Sequence, residues 1–168
     1  AWSWVAVILQ MSLSLVVTWV LFGLAHSLTG NFWLACLAAF CHAAAQTFYL
    51  DQCILTDSLN ASLVILAVAI VSHSIIERQV LTVPRAFAIG GLLLAAFLLR
   101  EAGFILQITI WPLVLLWGWV YNAGIVRTAL VFAAIALPVL AGAEIYKSWN
   151  VMRSGERFVT TAAQTAIY

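Results

Sequence analysis

The chain has 168 residues, of which 65% are hydrophobic and only 8% are charged, and its mean hydropathy is +1.11. Because a soluble domain carries charge on roughly a quarter of its residues, this composition excludes an ordinary soluble fold and indicates a membrane protein. A formal net charge of +1 on scattered basic residues also excludes the basic patch that nucleic-acid binding needs. We therefore expect membrane lipid, and no nucleic acid, among its partners.

Apolar runs follow one another along the whole chain. Each approaches the length of about 20 residues that a helix needs to cross a bilayer, and the runs are apolar on nearly all sides, as is typical of helices in lipid. The sequence predicts an all-α fold, a polytopic transmembrane helix bundle of about six spans. The predicted spans are Trp2–Leu24, Asn31–Leu50, Leu59–Ile76, Pro84–Leu99, Phe104–Tyr121 and Thr128–Ile145.

Two regions are expected from this pattern. Residues 1–145 would form the transmembrane region, and residues 146–168 a polar extracytoplasmic segment that leads out of the last span. Small residues in the stretch AFAIGGLLLAAF predict a close contact between helices. Glu144 and Lys147, three residues apart, predict a local ion pair.

Only the letters REAG separate the fourth predicted span from the fifth. A single helix over residues 84–121 would place Arg100 and Glu101 near the centre of the bilayer, where a charge is costly. We therefore expect two helices joined by a turn that brings both charges to the interface, where Arg100 can snorkel.

Loop charges predict the orientation. The third loop contains Arg78 and Arg85 and the fifth contains Arg127, whereas the first two loops have no Lys or Arg. The positive-inside rule then places loops three and five in the cytoplasm, provided that the basic C-terminal segment is discounted as part of a longer stretch. Including that segment would reverse the orientation.

Two carboxylates, Asp51 and Asp57, lie in the segment YLDQCILTDSLNASL between two apolar runs. With six spans, they emerge on the same face as Arg100 and Glu101. An arginine can bind a phosphate group while carboxylates act as acid or base, so this face could hold a phosphate-bearing amphiphile. The structural alternative is that Asp57 is the N-cap of the third helix and Asp51 a solvated loop residue.

The segment ILTDSLNASLVILAVAI, a basic loop, and then LLLAAFLLREAGFILQITIWPLVLLWG resembles the middle transmembrane region of the GT-C superfamily. These polytopic glycosyltransferases use polyprenyl- or dolichyl-phosphate sugars, and the similarity is to the protein mannosyltransferase and aminoarabinose transferase branches. The upstream stretch ILQMSLSLVVTWVLFGLAHSLTGNFWLACLAAFCHAAAQTFYL is similar to their preceding helix pair. The final stretch YKSWNVMRSGERFVTTAAQTAIY is similar to a segment that follows a span in this group. The resemblance covers almost the whole chain, in order.

This resemblance implies an integral-membrane glycosyltransferase core of the cell envelope, expected in the bacterial inner membrane. The catalytic carboxylate would lie in a first extracytoplasmic loop upstream of Ala1, so the chain is expected to be a fragment without that loop. Asp57 matches a second acidic element that binds the donor or a metal, and Arg100 matches a basic position near the lipid phosphate. Asp51 and Glu101 are further donor-binding candidates without a motif match.

Several alternatives stay open at this stage. No cofactor is certain, and a divalent cation held by Asp57 is one option. The donor is expected to be a polyprenyl-phosphate sugar, and the acceptor is unknown. A transporter subunit is disfavoured because the two halves show no internal repeat. A non-catalytic membrane scaffold or assembly subunit would also fit, so enzymatic activity is itself an open question.

Overall fold

The computed structural model describes residues 2–49, 56–99 and 107–155. Helices account for most of these residues, and the described ranges contain no strand. The all-α bundle that the sequence predicts is therefore confirmed. In chain order the helices are α1 (Trp2–Thr29), α2 (Phe32–Tyr49), α3 (Thr56–Ile76), α4 (Val83–Leu99), α5 (Ile110–Val120) and α6 (Ile125–Ser154).

The helices differ in length and in their capacity to cross a membrane. In α1, α3 and α6, the segments Trp4–Thr29, Ser58–Ile76 and Ile125–Arg153 are long and apolar enough to do so, by length and composition. Large apolar side chains cover the outside of the bundle, among them Trp4 and Trp19, which are 73% and 77% exposed. A soluble monomer rarely exposes so much continuous apolar surface. The chain is a membrane protein.

Helices α3 to α6 share one hydrophobic core. α4 packs extensively against both α3 and α6, while α5 lies against α3 and α6. Deletion of a large side chain from such a core typically costs 2–5 kcal/mol, because the cavity refills only partly. Fully buried members of the core include Val71, Leu81, Ile89, Leu93, Ile110, Val114, Trp117, Val131 and Ile135.

Helices α1 and α2 form a hairpin beside this core. The turn uses Gly30, whose φ of 64° is unstrained only for a residue without a Cβ. Asn31 then caps α2, because its Oδ1 accepts hydrogen bonds from the backbone N–H groups of Trp33 at 2.9 Å and Leu34 at 3.3 Å. The hairpin is attached to the core chiefly through α1, which packs along α3.

Helices α4 and α6 pack closely against each other. A Cβ added to Gly90 would lie 2.5 Å from the carbonyl oxygen of Ile135 and 2.9 Å from Cγ of Pro138, whereas a Cβ at Gly91 would meet nothing within 4 Å. One turn further along α4, Leu94 packs directly onto Gly142. The small-residue contact that the sequence predicts is therefore present, and it depends on the first of the two adjacent glycines.

The chain reverses direction between α4 and α5, as expected. Nε2 of Gln107 donates to the carbonyl oxygen of Leu93 at 2.9 Å, although these residues would be about 21 Å apart in one continuous helix. The predicted start of the fifth span, Phe104, lies outside the described residues; Gln107 is helical, and α5 is described from Ile110. Pro112 lies in the first turn of α5, where proline is tolerated because the backbone N–H groups there have no partner within the helix.

Alternating helix directions give the bundle two distinct ends. At the end that we call the arginine end, α1 meets α2, α3 meets α4, and α5 meets α6, and Arg78, Arg85 and Arg127 lie there. At the opposite end, α2 and α4 finish, α3 and α5 begin, and α6 finishes. The directions of the described helices thus support the alternation that the sequence predictions assume, with odd-numbered loops at one end of the bundle and even-numbered loops at the other.

Candidate functional site

The site residues predicted from the sequence fall at the boundaries of the described chain. Asp51, Arg100 and Glu101 lie outside the described residues. Asp57 is described in its backbone but not in its side chain, so the donor-binding and metal-binding roles of all four stay predictions. Helix α3 is described from Thr56, so the backbone of Asp57 lies in its first described turn.

A buried hydrogen bond joins the helices that flank this region. Nδ2 of Asn60 in α3 donates to the carbonyl oxygen of Ala96 in α4 at 2.6 Å, and Asn60 is only 2% exposed. Ala96 is among the last four residues of α4, whose carbonyl groups have no donor within the helix. The asparagine therefore satisfies a helix-end acceptor from a neighbouring helix, in surroundings where water is scarce.

Gln107, just before α5, also binds a carbonyl group of α4. Its amide, 3% exposed, binds the carbonyl of Leu93, one turn before Ala96. Two buried amide side chains therefore bind carbonyl groups in the last two turns of that helix. Asp57 precedes Asn60 by three residues, which is less than one helical turn. The first turn of α3 and the end of α4, after which Arg100 follows in the sequence, are consequently neighbours.

The C-terminal half of α6 completes this end of the bundle. The ring of Tyr146 meets that of Phe97 edge-on, with centroids 6.5 Å apart. Nζ of Lys147 lies 2.6 Å from Oε1 of Glu144, which confirms the predicted pair. The carboxylate neutralises the lysine locally, and a partly exposed pair of this kind contributes little to stability.

Buried polar side chains lie on one face of α1 and on one face of α3, and the sequence-based predictions did not include them. Gln10 and Ser14 in α1, and Ser58 and Ser62 in α3, are all buried. Each pair is separated by four residues, so each lies on one helix face. The hydroxyl oxygens of Ser14 and Ser62 have no hydrogen-bond partner among the described residues. Polar residues four apart within an apolar run were the signal that could have revealed these side chains.

The arginine end contains a chain of polar and aromatic contacts. Nη1 of Arg85 donates to Oε1 of Gln79 at 3.2 Å, and the backbone carbonyl of Gln79 accepts from Nε1 of Trp117 at 3.0 Å. Trp117 stacks on Tyr121, and the guanidinium carbon of Arg127 lies 5.8 Å from the centre of the tyrosine ring. This is the distance of a cation–π contact. Arg85 is thus held by Gln79, and Arg127 by the ring of Tyr121.

Neither a metal centre nor a known relative identifies the site. Within the described ranges, no three His, Cys, Asp or Glu residues come together in a group that could hold a metal ion. No protein-family model matches the chain, and no curated protein or solved structure matches it. The resemblance to GT-C glycosyltransferases therefore stays a prediction from the sequence.

Proposed function

We propose that the chain is the membrane core of a glycosyltransferase that takes a sugar from a polyprenyl-phosphate donor and transfers it to an acceptor at the extracytoplasmic face. The arrangement that carries the proposal is the junction of α3 and α4, where Asn60 binds the carbonyl of Ala96. This contact brings the first turn of α3, which contains Asp57, beside the end of α4, which Arg100 follows in the sequence. A carboxylate and a guanidinium from distant parts of the chain would then share one donor site.

We also propose that the protein crosses the bacterial inner membrane several times, with the arginine end in the cytoplasm. When the basic C-terminal segment is discounted, three exposed arginines at that end, Arg78, Arg85 and Arg127, favour this orientation under the positive-inside rule. Of the described helices, α5 is the shortest and covers about 16 Å at 1.5 Å per residue, half of a typical hydrocarbon core. A complete fifth crossing would therefore need more residues than α5 itself provides.

The proposed sugar transfer requires little from the protein beyond correctly placed charged groups. A lipid phosphate is a good leaving group, and a cation beside it stabilises the charge that develops as the bond to the sugar breaks. In the proposed site Arg100 holds the phosphate, and Asp57 binds the donor. The catalytic carboxylate that the resemblance implies would remove the proton from the acceptor hydroxyl. A donor that is dissolved in lipid reaches such a site laterally, without a nucleotide-binding loop.

A transfer assay with the full-length protein in native-like membranes tests the proposal. Radiolabelled polyprenyl-phosphate sugars are supplied to the wild type, to Asp57→Asn and to Arg100→Ala. Both variants should lose at least about 100-fold in transfer rate, the scale of a single acid–base or charge-stabilising contact. Expression and thermal stability are measured in parallel.

The arginine end offers matched controls for the same assay. Glu77→Gln and Arg85→Ala make the same kinds of change at exposed positions on the other face of the bundle, and both should retain transfer. Activity in both site variants would keep the enzyme and reject this site. A wild type that neither transfers sugar from any donor nor binds one would reject the enzyme and support a scaffold.

A further inference from the structure

Two serine hydroxyls inside the bundle have no hydrogen-bond partner among the described residues. They belong to Ser14 on α1 and Ser62 on α3, whose surfaces are 2% and 1% exposed. A buried hydroxyl that is left unpaired loses the stabilisation that water gave it. Buried polar groups are therefore almost always bonded to protein or to ordered water. The proposed function uses neither side chain.

Other hydroxyls of these helices bond to their own backbone. Oγ1 of Thr18 donates to the carbonyl oxygen of Ser14 at 2.9 Å, and Oγ of Ser74 donates to that of Ile70 at 3.0 Å. Both use the carbonyl four residues earlier, which is the common arrangement within a helix. The hydroxyls of Ser14 and Ser62 make no such bond. Each can therefore bind a partner outside its own helix.

The two serines lie on the faces through which α1 and α3 meet. Asn60 binds the carbonyl of Ala96 in α4, and Ser62, two residues later, lies about 200° further around the helix. It therefore faces away from α4. This side of α3 faces α1, as a cavity of about 330 Å³ between the two helices shows. Leu21 and Ala69 both line this cavity, and each follows one of the serines by two helical turns.

The serines also lie at similar heights in the bundle. Leu24 and Ala69 are level, since both line this cavity and also the next one towards the arginine end. Ser14 precedes Leu24 by about 15 Å, and Ser62 precedes Ala69 by about 10 Å. A difference of about 5 Å in height is within the reach of one bridging water molecule, whose two hydrogen bonds together span about 5.5 Å.

The surroundings of the serines determine the size of the ligand. Gln10 and Ser58, one turn further from the arginine end, are also buried, with 1% and 0% of their surfaces exposed. A polar site so enclosed suits water, which needs little space and two to four polar partners. Apart from Thr109, the neighbouring cavity is lined by apolar side chains, and apolar cavities stay dry. The expected ligand is therefore water, confined to the polar part of the interface.

We propose that the interface between α1 and α3 holds ordered water that bridges Ser14 to Ser62. A water molecule can accept from one hydroxyl and donate to the other, and such a bridge is nearly as favourable as a direct bond. The hairpin of α1 and α2 is then attached to the core by hydrogen bonds as well as by apolar contacts. This proposal is independent of the glycosyltransferase proposal.

Stability of the full-length protein in SDS titrations tests the bridge with a double-mutant cycle. Ser14→Ala and Ser62→Ala should each raise the unfolding equilibrium constant about three- to tenfold, the scale of a hydrogen bond between transmembrane helices. Because either change breaks the same bridge, the double variant should be hardly less stable than the single variants. Additive losses would overturn the proposal. So would a gain in stability in either single variant, the result expected for an unpaired hydroxyl in a dry site.

Ser74→Ala provides the matched control for this cycle. It removes a buried hydroxyl that bonds to the backbone of its own helix. Its effect should simply add to that of Ser14→Ala. A coupling between Ser14 and Ser74 as large as that between Ser14 and Ser62 would show that the coupling does not come from a bridge, and would overturn the proposal.

Water-edited solid-state NMR of the protein in lipid bilayers distinguishes a water bridge from a direct bond between the two serines. Magnetisation should pass from water to Ser14 and Ser62, and not to Val71 and Val114, which are buried in the apolar core. Serine signals as weak as those of the two valines would show that the interface is dry and would refute the bridge.

Discussion

The indole N–H of Trp117 donates to the backbone carbonyl of Gln79 at 3.0 Å, across 38 residues of sequence. Gln79 belongs to the loop between α3 and α4, and Trp117 lies on α5 with only 1% of its surface exposed. One side chain thus fills the core and also fixes a loop at the membrane boundary. Aromatic residues with a polar atom suit this double role, because one part is apolar and the other can bind at the wet edge.

Replacement of Trp117 by phenylalanine should lower stability modestly. The hydrogen bond to Gln79 contributes on the order of 1 kcal/mol, and the smaller ring leaves part of the core unfilled. The midpoint of thermal unfolding in detergent should therefore fall in Trp117→Phe. Trp119→Phe is the matched control, since Trp119 is exposed and on the same helix. Equal midpoints for the two variants would contradict the structural role of the bond.

The two adjacent glycines of α4 should respond oppositely to alanine. In Gly90→Ala the new methyl group would press against the backbone of Ile135 and against Pro138, and overpacking of this kind typically costs 1–3 kcal/mol. Gly91→Ala meets open space and gains roughly 0.5–1 kcal/mol of helix propensity. Unfolding titrations of the two variants in mixed detergent micelles compare them directly. A Gly90→Ala variant as stable as Gly91→Ala would show that α4 and α6 pack less closely.

The amide of Asn60 should contribute measurably to the packing of α3 on α4. Asn60→Leu keeps a similar volume but leaves the carbonyl of Ala96 without this donor. Hydrogen bonds between transmembrane helices average about 0.6 kcal/mol and reach about 1.7. The same range is expected for Gln107→Leu, which removes the bond to Leu93. Stability in SDS titrations measures both, and an increase in either variant would refute the contribution that we assign to these bonds.

Arg78 provides a test of backbone strain. Its φ of 48° lies in the left-handed region, which is unfavourable for a residue with a Cβ. Arg78→Gly and Arg78→Ala remove the same charge, but only glycine relieves the strain. The glycine variant should be more stable than the alanine variant by about 1 kcal/mol. Equal unfolding midpoints for the pair would show that the turn after α3 relaxes at no cost.

The sequence predicts the helices well because lipid imposes a simple requirement on them. Every backbone polar group in the hydrocarbon must be bonded internally, so apolar runs of sufficient length become helices. The reversal between α4 and α5 follows from the cost of placing Arg100 and Glu101 at mid-membrane. Both features depend on the composition of a single stretch of sequence, without knowledge of which helices pack together.

Features that depend on pairs of helices were harder to predict. Nothing local distinguishes Gly90 from Gly91, because only the position of Pro138 on another helix makes the first one a contact. The same holds for Asn60, whose partner is a carbonyl 36 residues away on another helix. Among the predicted site residues, Asp57 is the one whose position within a helix is described.

The length of α6 fixes the height at which the rest of the chain leaves the membrane. Its 30 residues extend about 45 Å, whereas the hydrocarbon layer is about 30 Å thick. If α6 enters at the arginine end, roughly its last ten residues stand clear of the hydrocarbon as a continuous rod. Arg153, in the last turn, is thereby carried beyond the headgroups of the far leaflet. Gly155, with a φ of 78°, ends the rod in the left-handed conformation. A reaction centre that follows α6 would therefore lie at a fixed distance above the lipid.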